Sequence, residues 1–105
     1  MIYNLKYNLK VYDSKYREFL NVLDNCLNKQ KPANCFNRSA FQSITDMHEF
    51  EYLEVWTDLE SMKEYMRSND FMSLQGAFQL LTAIENFSIT ESKELEKSKL
   101  LQDIQ

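Results

Sequence analysis

The chain changes its hydrophobic period along its length, and those changes restrict its fold more than any other feature. Tyr3, Leu5, Tyr7, Leu9 and Val11 alternate with Asn4, Lys6, Asn8 and Lys10, which is the two-residue period of a strand with distinct faces. Tyr16, Phe19, Leu20, Leu23 and Leu27 then recur at three- and four-residue steps, predicting a helix capped by Asp13 or Ser14. Pro32 biases Lys31 away from helical angles and closes that segment. Cys35 to Ile44 and Glu49 to Trp56 read as two strands of a hairpin, reversed through Thr45-Asp46-Met47-His48. Phe50, Tyr52, Glu54 and Trp56 share one face of the second of these strands, with Glu51, Leu53 and Val55 on the other.

After only Thr57-Asp58 the period switches again. Asp58 suits the N-cap of a helix with Leu59, Met62 and Met66 inward. Ser68-Asn69-Asp70 breaks this helix, and Phe71, Leu74, Ala77, Phe78 and Leu81 share a face of its continuation. Ile84, Phe87 and Ile89 return to strand character. The order is β-α-β-β-α-β with a split second helix, an α+β, ferredoxin-like subunit with an antiparallel sheet. From residue 92 to 105 the chain becomes a charged tail carrying Leu95, Leu100, Leu101 and Ile104, open to a docked short helix or a solvated end.

Composition excludes several classes of function. A chain of 105 residues, 44% hydrophobic and 13% aromatic, supports one small domain with a core. The net charge of −4 and the dispersed Lys and Arg residues provide no basic stripe for a phosphate backbone, so nucleic acid is not an expected partner. MIYNLKYNLK alternates where a signal peptide needs a continuous apolar run, and no stretch is long enough for a membrane span, so a cytoplasmic protein is expected. Cys26 and Cys35 lack CxxC spacing and have only His48 as a companion, so reduced thiols packed in or near the core are expected, with no metal site. One Gly in the whole chain leaves no glycine-rich phosphate loop.

The segment YLEVWTDLESMKEYMRSNDFMSLQGAFQLL resembles the antibiotic biosynthesis monooxygenase domain. The points of likeness are Glu54-Val55-Trp56 at a strand end, the short acidic turn Thr57-Asp58, the helix with Met62 to Tyr65, and the polar break Ser68-Asn69-Asp70 before Phe71. With the flanking elements the resemblance covers about residues 1 to 91. It implies a subunit that pairs sheet to sheet as a homodimeric α+β barrel. Large groups on both faces of the Glu49 to Trp56 strand agree, since helices cover one side of such a sheet only. It also implies oxygenation of a small aromatic or quinol substrate without a cofactor, the deprotonated substrate supplying electrons to dioxygen.

Such a site needs an apolar pocket with a few polar groups to hold a phenol or its anion. Asn8, Glu54 and Tyr65 are the candidate catalytic groups, and Arg38, Trp56, Phe71 and Phe78 the candidate substrate contacts. Each has a structural alternative. Trp56 can anchor the corner under a helix, Glu54 can pair with Arg38 across the hairpin, Asn8 can face solvent, and Tyr65 can cover the helix. Asn8 is attractive because a heme-degrading branch of the family carries an asparagine at a matching place. Gln75 stands where that branch has its heme-ligating histidine, and Lys63-Glu64-Tyr65 where quinol-oxidising members often have one, so no heme is expected. His48 belongs to a turn and is expected to be solvated. The alternative to an enzyme is a non-catalytic dimeric ligand-binding or stress-related module whose interior is filled by Met62, Met66, Phe71 and Phe78.

Overall fold

In the computed structural model, which describes residues 1–93, the chain runs β1 (Ile2–Val11), α1 (Tyr16–Asn28), β2 (Cys35–Gln42), β3 (Glu49–Trp56), α2 (Leu59–Met66), α3 (Asn69–Leu81) and β4 (Thr82–Ser92). The strands form one antiparallel sheet in the order β2-β3-β1-β4, so the two longest-range pairings, β1 with β3 and β1 with β4, build its centre. This is the expected ferredoxin-like α+β arrangement with a split second helix. Most of the charged tail, residues 94–105, lies outside the described residues. No helix among the described residues is long and apolar enough to cross a membrane.

Alternation decides what faces the helices. Leu5, Tyr7, Leu9 and Val11 of β1 and Phe50, Tyr52, Glu54 and Trp56 of β3 are buried, as the two-residue period requires. Against them lie Phe19, Leu23 and Cys26 of α1, Met62 and Tyr65 of α2, and Phe71, Leu74, Phe78 and Leu81 of α3. On α1 the buried stripe is Phe19, Leu23 and Cys26, and the expected inward residues Leu20 and Leu27 are exposed. The i, i+4, i+7 row is centred on the sheet, and Leu20 and Leu27 sit one residue to its side, rotated by about 100°. Phe78 is the aromatic hub, with ring centroids 5.2 Å from Tyr7, 5.4 Å from Tyr52 and 6.1 Å from Phe19.

Two bulges re-aim side chains. In β2, Cys35 pairs with Trp56 and Arg38 with Glu54, so four residues on one strand oppose three on the other, with Phe36 as the extra residue. That extra residue lets both Cys35 and Arg38 face inward. In β4, Leu9 pairs with Ile84 and Tyr7 with Phe87, the same mismatch next to Asn8.

The short β3–α2 junction is held from two sides. Asp58 caps α2 by accepting hydrogen bonds from the Ser61 N–H at 2.9 Å and the Ser61 hydroxyl at 2.7 Å. Asn34, left-handed at φ 69°, accepts from the Thr57 N–H at 2.9 Å and donates to Ser61 Oγ at 2.8 Å. Asp13 does not cap α1. It lies in a single 3₁₀ turn, Asp13–Lys15, and its carboxylate meets His48 Nε2 at 3.0 Å, tying the hairpin turn to the start of α1. His48 is therefore half-buried and partnered.

Truncating the hub and removing the cap should separate in magnitude. Phe78→Ala is expected to cost about 3–5 kcal/mol in denaturant unfolding, and Asp58→Ala about 1 kcal/mol. Equal effects would contradict the placement of the core.

Candidate functional site

Glu54 is the most unusual residue of the interior, a carboxyl group with 0% exposure among aromatic rings. Isolated burial of such a group costs several kcal/mol, so its partners define the site. It accepts hydrogen bonds from the Tyr52 hydroxyl at 2.5 Å, Trp56 Nε1 at 3.0 Å and the Tyr65 hydroxyl at 3.2 Å. Tyr52 and Trp56 are two residues either side on β3 and reach Glu54 because all three share a face. Arg38 comes from the neighbouring strand, its Nε 3.5 Å from Glu54 Oε2, which is the expected ion pair across the hairpin.

Arg38 extends the network toward α1 and α2. Its side chain is 5% exposed, with Nη1 donating to the Cys26 carbonyl at 3.3 Å and Nη2 to the Tyr65 hydroxyl at 3.4 Å. Nε is buried without a hydrogen-bond partner among the described residues. Burial works against the guanidinium charge, but Tyr52, Glu54 and Tyr65 around it outweigh that and hold its pKa above the usual arginine value. The cation also lies over the Tyr65 ring, 5.7 Å from its centroid.

Tyr65 is fixed by the helix break. Ser68 donates to the Tyr65 carbonyl at 2.6 Å and accepts from the Phe71 N–H at 3.2 Å, ending α2 and capping α3 at one residue. The Tyr65 ring is packed between Trp56, 5.1 Å away, and Phe71, 5.4 Å away. Burial, with the charge of Glu54 behind it, holds the Tyr65 hydroxyl well above the ordinary tyrosine value. Burial and then Glu54 raise Tyr52 likewise.

Beside this network a pocket of about 240 Å³ opens between α1 and α3. Arg38 and Tyr65 line it together with Cys26, Val22 and Asn25 of α1 and Leu74, Ala77 and Ser73 of α3, while Lys29, Gln30 and Asp70 bring polar groups. It is smaller than the roughly 300–1,000 Å³ of drug-sized ligand sites and suits a single ring. Of the residues expected at a site, Arg38 and Tyr65 line the pocket, and Glu54 lies behind them. Trp56, Phe71 and Phe78 are core residues that support Tyr65 and the sheet without lining it. Asn8 does not join them. Tyr7 points inward, so the next residue points out, and Asn8 lines a different groove of about 440 Å³ on the outer face with Phe41, Glu49, Glu51 and Glu85. Tyr52 and Cys26, not expected at a site, belong to the network. The position of Tyr52 two residues before Glu54 was its available signal. Among the described residues no group of three or more His, Cys, Asp and Glu is placed to hold a metal ion.

The buried hydroxyls predict an alkaline limit to stability. Tyr7, buried and facing the charge of Glu54, is pushed up to about 12, and Cys35, also by burial and then Glu54, to about 11. The unfolded chain releases these protons near the ordinary values of about 10 for Tyr and about 8.5 for Cys, while the fold retains them. Their contribution is therefore intact at neutral pH and is lost as pH rises toward about 12. Denaturant midpoints should fall over that range, and Tyr7→Phe should flatten the fall. A midpoint independent of pH would contradict the burial of these groups.

No protein-family profile matches the chain, and no curated protein sequence matches it. Solved structures do. A conserved protein from Methanosarcina mazei Go1 superposes with a TM-score of 0.79 at 20% identity, over 89% of this chain and 94% of its own. An antibiotic biosynthesis monooxygenase superposes at 0.74 and 13% identity, over 89% and 99%. A variant of SnoaB, a cofactor-independent oxygenase from Streptomyces nogalater, superposes at 0.69 and 9% identity, over 89% and 94%. The chain thus has the ferredoxin-like α+β fold of structures that carry the antibiotic biosynthesis monooxygenase name.

Proposed function

We propose that the protein is a cofactor-independent monooxygenase acting on a small phenol or quinol held in the pocket between α1 and α3. The observation that carries this reading is the pairing of a buried guanidinium and a buried tyrosine hydroxyl, Arg38 and Tyr65, in the wall of one otherwise largely apolar pocket. Arg38 offers a positive charge to a phenolate, and the Tyr65 oxygen, its own proton given to Glu54, accepts from the substrate hydroxyl and so orients it before deprotonation. Glu54 keeps both in place and, by accepting from Tyr65, fixes which way that hydroxyl points. In the reaction the substrate anion supplies all the electrons to dioxygen: one oxygen atom enters the ring, the other leaves as water with the two hydrogens the substrate loses, and the product is a quinone. SnoaB, a cofactor-independent oxygenase with the same fold, supports the assignment. The free thiols of Cys26 and Cys35 suit the reducing cytoplasm that this reading carries with it.

The second reading, a binding module without chemistry, draws on the packed interior, where Met62, Phe71 and Phe78 are buried as that alternative requires. Oxygen uptake separates the two. With a panel of single-ring hydroquinones the protein should consume oxygen above the uncatalysed rate, and three-ring anthrones should be poorer substrates. Tyr65→Phe should lower that rate on the order of 10²-fold, and Asn8→Ala should leave it unchanged. Uptake insensitive to both Tyr65→Phe and Arg38→Met would remove the proposed site.

The working form is a homodimer in this reading. The outer sheet face carries Leu53, Val55 and the 56% exposed Phe41 beside a row of Lys6 and Lys10 and a row of Glu49 and Glu51. Adjacent rows of opposite charge are self-complementary under two-fold symmetry. Sedimentation should report a dimer, and Leu53→Glu should shift it to monomer. A monomeric wild-type chain at micromolar concentration would refute the pairing.

A further inference from the structure

The pocket wall contains a nucleophile that the oxygenase reading does not use. Cys26, near the end of α1, lines the pocket, and its Sγ lies 3.4 Å from the Tyr52 hydroxyl. Tyr52 has one proton, which it gives to Glu54 at 2.5 Å, so its oxygen is left to accept from the Cys26 S–H. The thiol proton therefore has a path of two hydrogen bonds to a buried carboxylate. Arg38 lines the same wall with its side chain 5% exposed and its Nε held against Glu54 Oε2 at 3.5 Å; Nη1 donates to the Cys26 carbonyl at 3.3 Å and Nη2 to the Tyr65 hydroxyl at 3.4 Å, and each Nη keeps a second N–H suited to a carbonyl oxygen. Cys35, by contrast, does not line the pocket, and its thiol contacts the Asn37 carbonyl at 3.5 Å.

We propose that Cys26 captures small quinones covalently in this pocket, with Glu54 accepting the thiol proton through Tyr52. The source of the quinone rests on the oxygenase reading, since oxidation of a quinol yields one. The sulfur lone pair forms a C–S bond to a ring carbon, and the conjugated system moves an electron pair onto a carbonyl oxygen. As the thiol proton passes to Tyr52, Tyr52 passes its own to Glu54, so no tyrosinate forms. The carbonyl oxygen takes a proton from water, the ring C–H proton moves to the second oxygen, and Glu54 later releases its proton to solvent. The product is a thioether-substituted hydroquinone on Cys26. Sulfur has supplied the two electrons that reduce the quinone, and no other oxidant or reductant enters.

The test is labelling of the full chain with p-benzoquinone in the absence of quinol, followed by intact mass and peptide mapping. A single adduct on Cys26 is expected, forming at least about ten times faster than at Cys35. The rate should saturate with quinone concentration. In Tyr52→Phe the limiting rate should fall on the order of 10²-fold with the half-saturating concentration unchanged, a split that a purely structural role for Tyr52 would not produce. Labelling of Cys35 first, a rate that never saturates, or a Tyr52→Phe variant as fast as wild type would each overturn the proposal. Oxygen uptake with quinols by Cys26→Ser reports on the oxygenase reading alone, so loss of one result leaves the other standing.

Discussion

One buried carboxylate organises this molecule. Glu54 is fully shielded from solvent, and the several kcal/mol that its burial costs are offset only if its partners are present and correctly aimed. Those partners come from three elements: Tyr52 and Trp56 from its own strand, Arg38 from β2 and Tyr65 from α2. Each constrains something further. Arg38 can face inward three residues after Cys35 only because Phe36 is bulged out, and Tyr65 reaches Glu54 only because just two residues separate β3 from α2. The abrupt Trp56-Thr57-Asp58 junction is thus a positioning device, clasped by Asn34 and Ser61 so that the first helix after the hairpin lands over the carboxylate.

The elements themselves were legible because each carries a clear period. Alternation in β1 and β3, the cap at Asp58 and the polar break at Ser68-Asn69-Asp70 are all local signals; the cap at Ser68 and the β4 bulge emerged only in the structure. The cross-hairpin meeting of Arg38 with Glu54 was legible too, since a hairpin brings both to the same face. What local pattern did not show was which face of a strand a polar residue serves relative to a distant helix. Asn8 was attractive by likeness to a motif, yet the inward placement of its neighbours Leu9 and Tyr7 assigns it to the outer face. Cys26 was legible only as a core thiol, because its approach to Tyr52 depends on how α1 lies across the sheet. The same tertiary docking rotates Leu20 and Leu27 away from the core, which periodicity alone could not decide.

The outer face follows a different logic. Its lysines and glutamates pair across β1 and β3 at 3.8 Å and are substantially exposed, so they contribute little to the stability of one subunit. Their alternating rows matter more for what the face can meet. Leu53 and Phe41 lie among them as apolar groups, which gives the sheet two dissimilar sides: one sealed by aromatic packing, the other carrying interleaved charges and apolar side chains.

Packing also decides where chemistry can occur. Trp56, Tyr65, Phe71 and Phe78 pack ring against ring directly above the sheet. The remaining room lies off to the side, between α1 and α3. Tyr65 separates the two regions, with its ring closing the core and its hydroxyl joined to Arg38 at the pocket wall. Because the hydroxyl is also bound to Glu54, any group in the pocket that bonds to Tyr65 or Arg38 is coupled to the buried carboxylate through one intervening residue. A small crevice with such a wall favours ligands that join a ring to an oxygen acceptor, since Val22, Leu74 and Ala77 pack against the ring while the guanidinium donates to the oxygen.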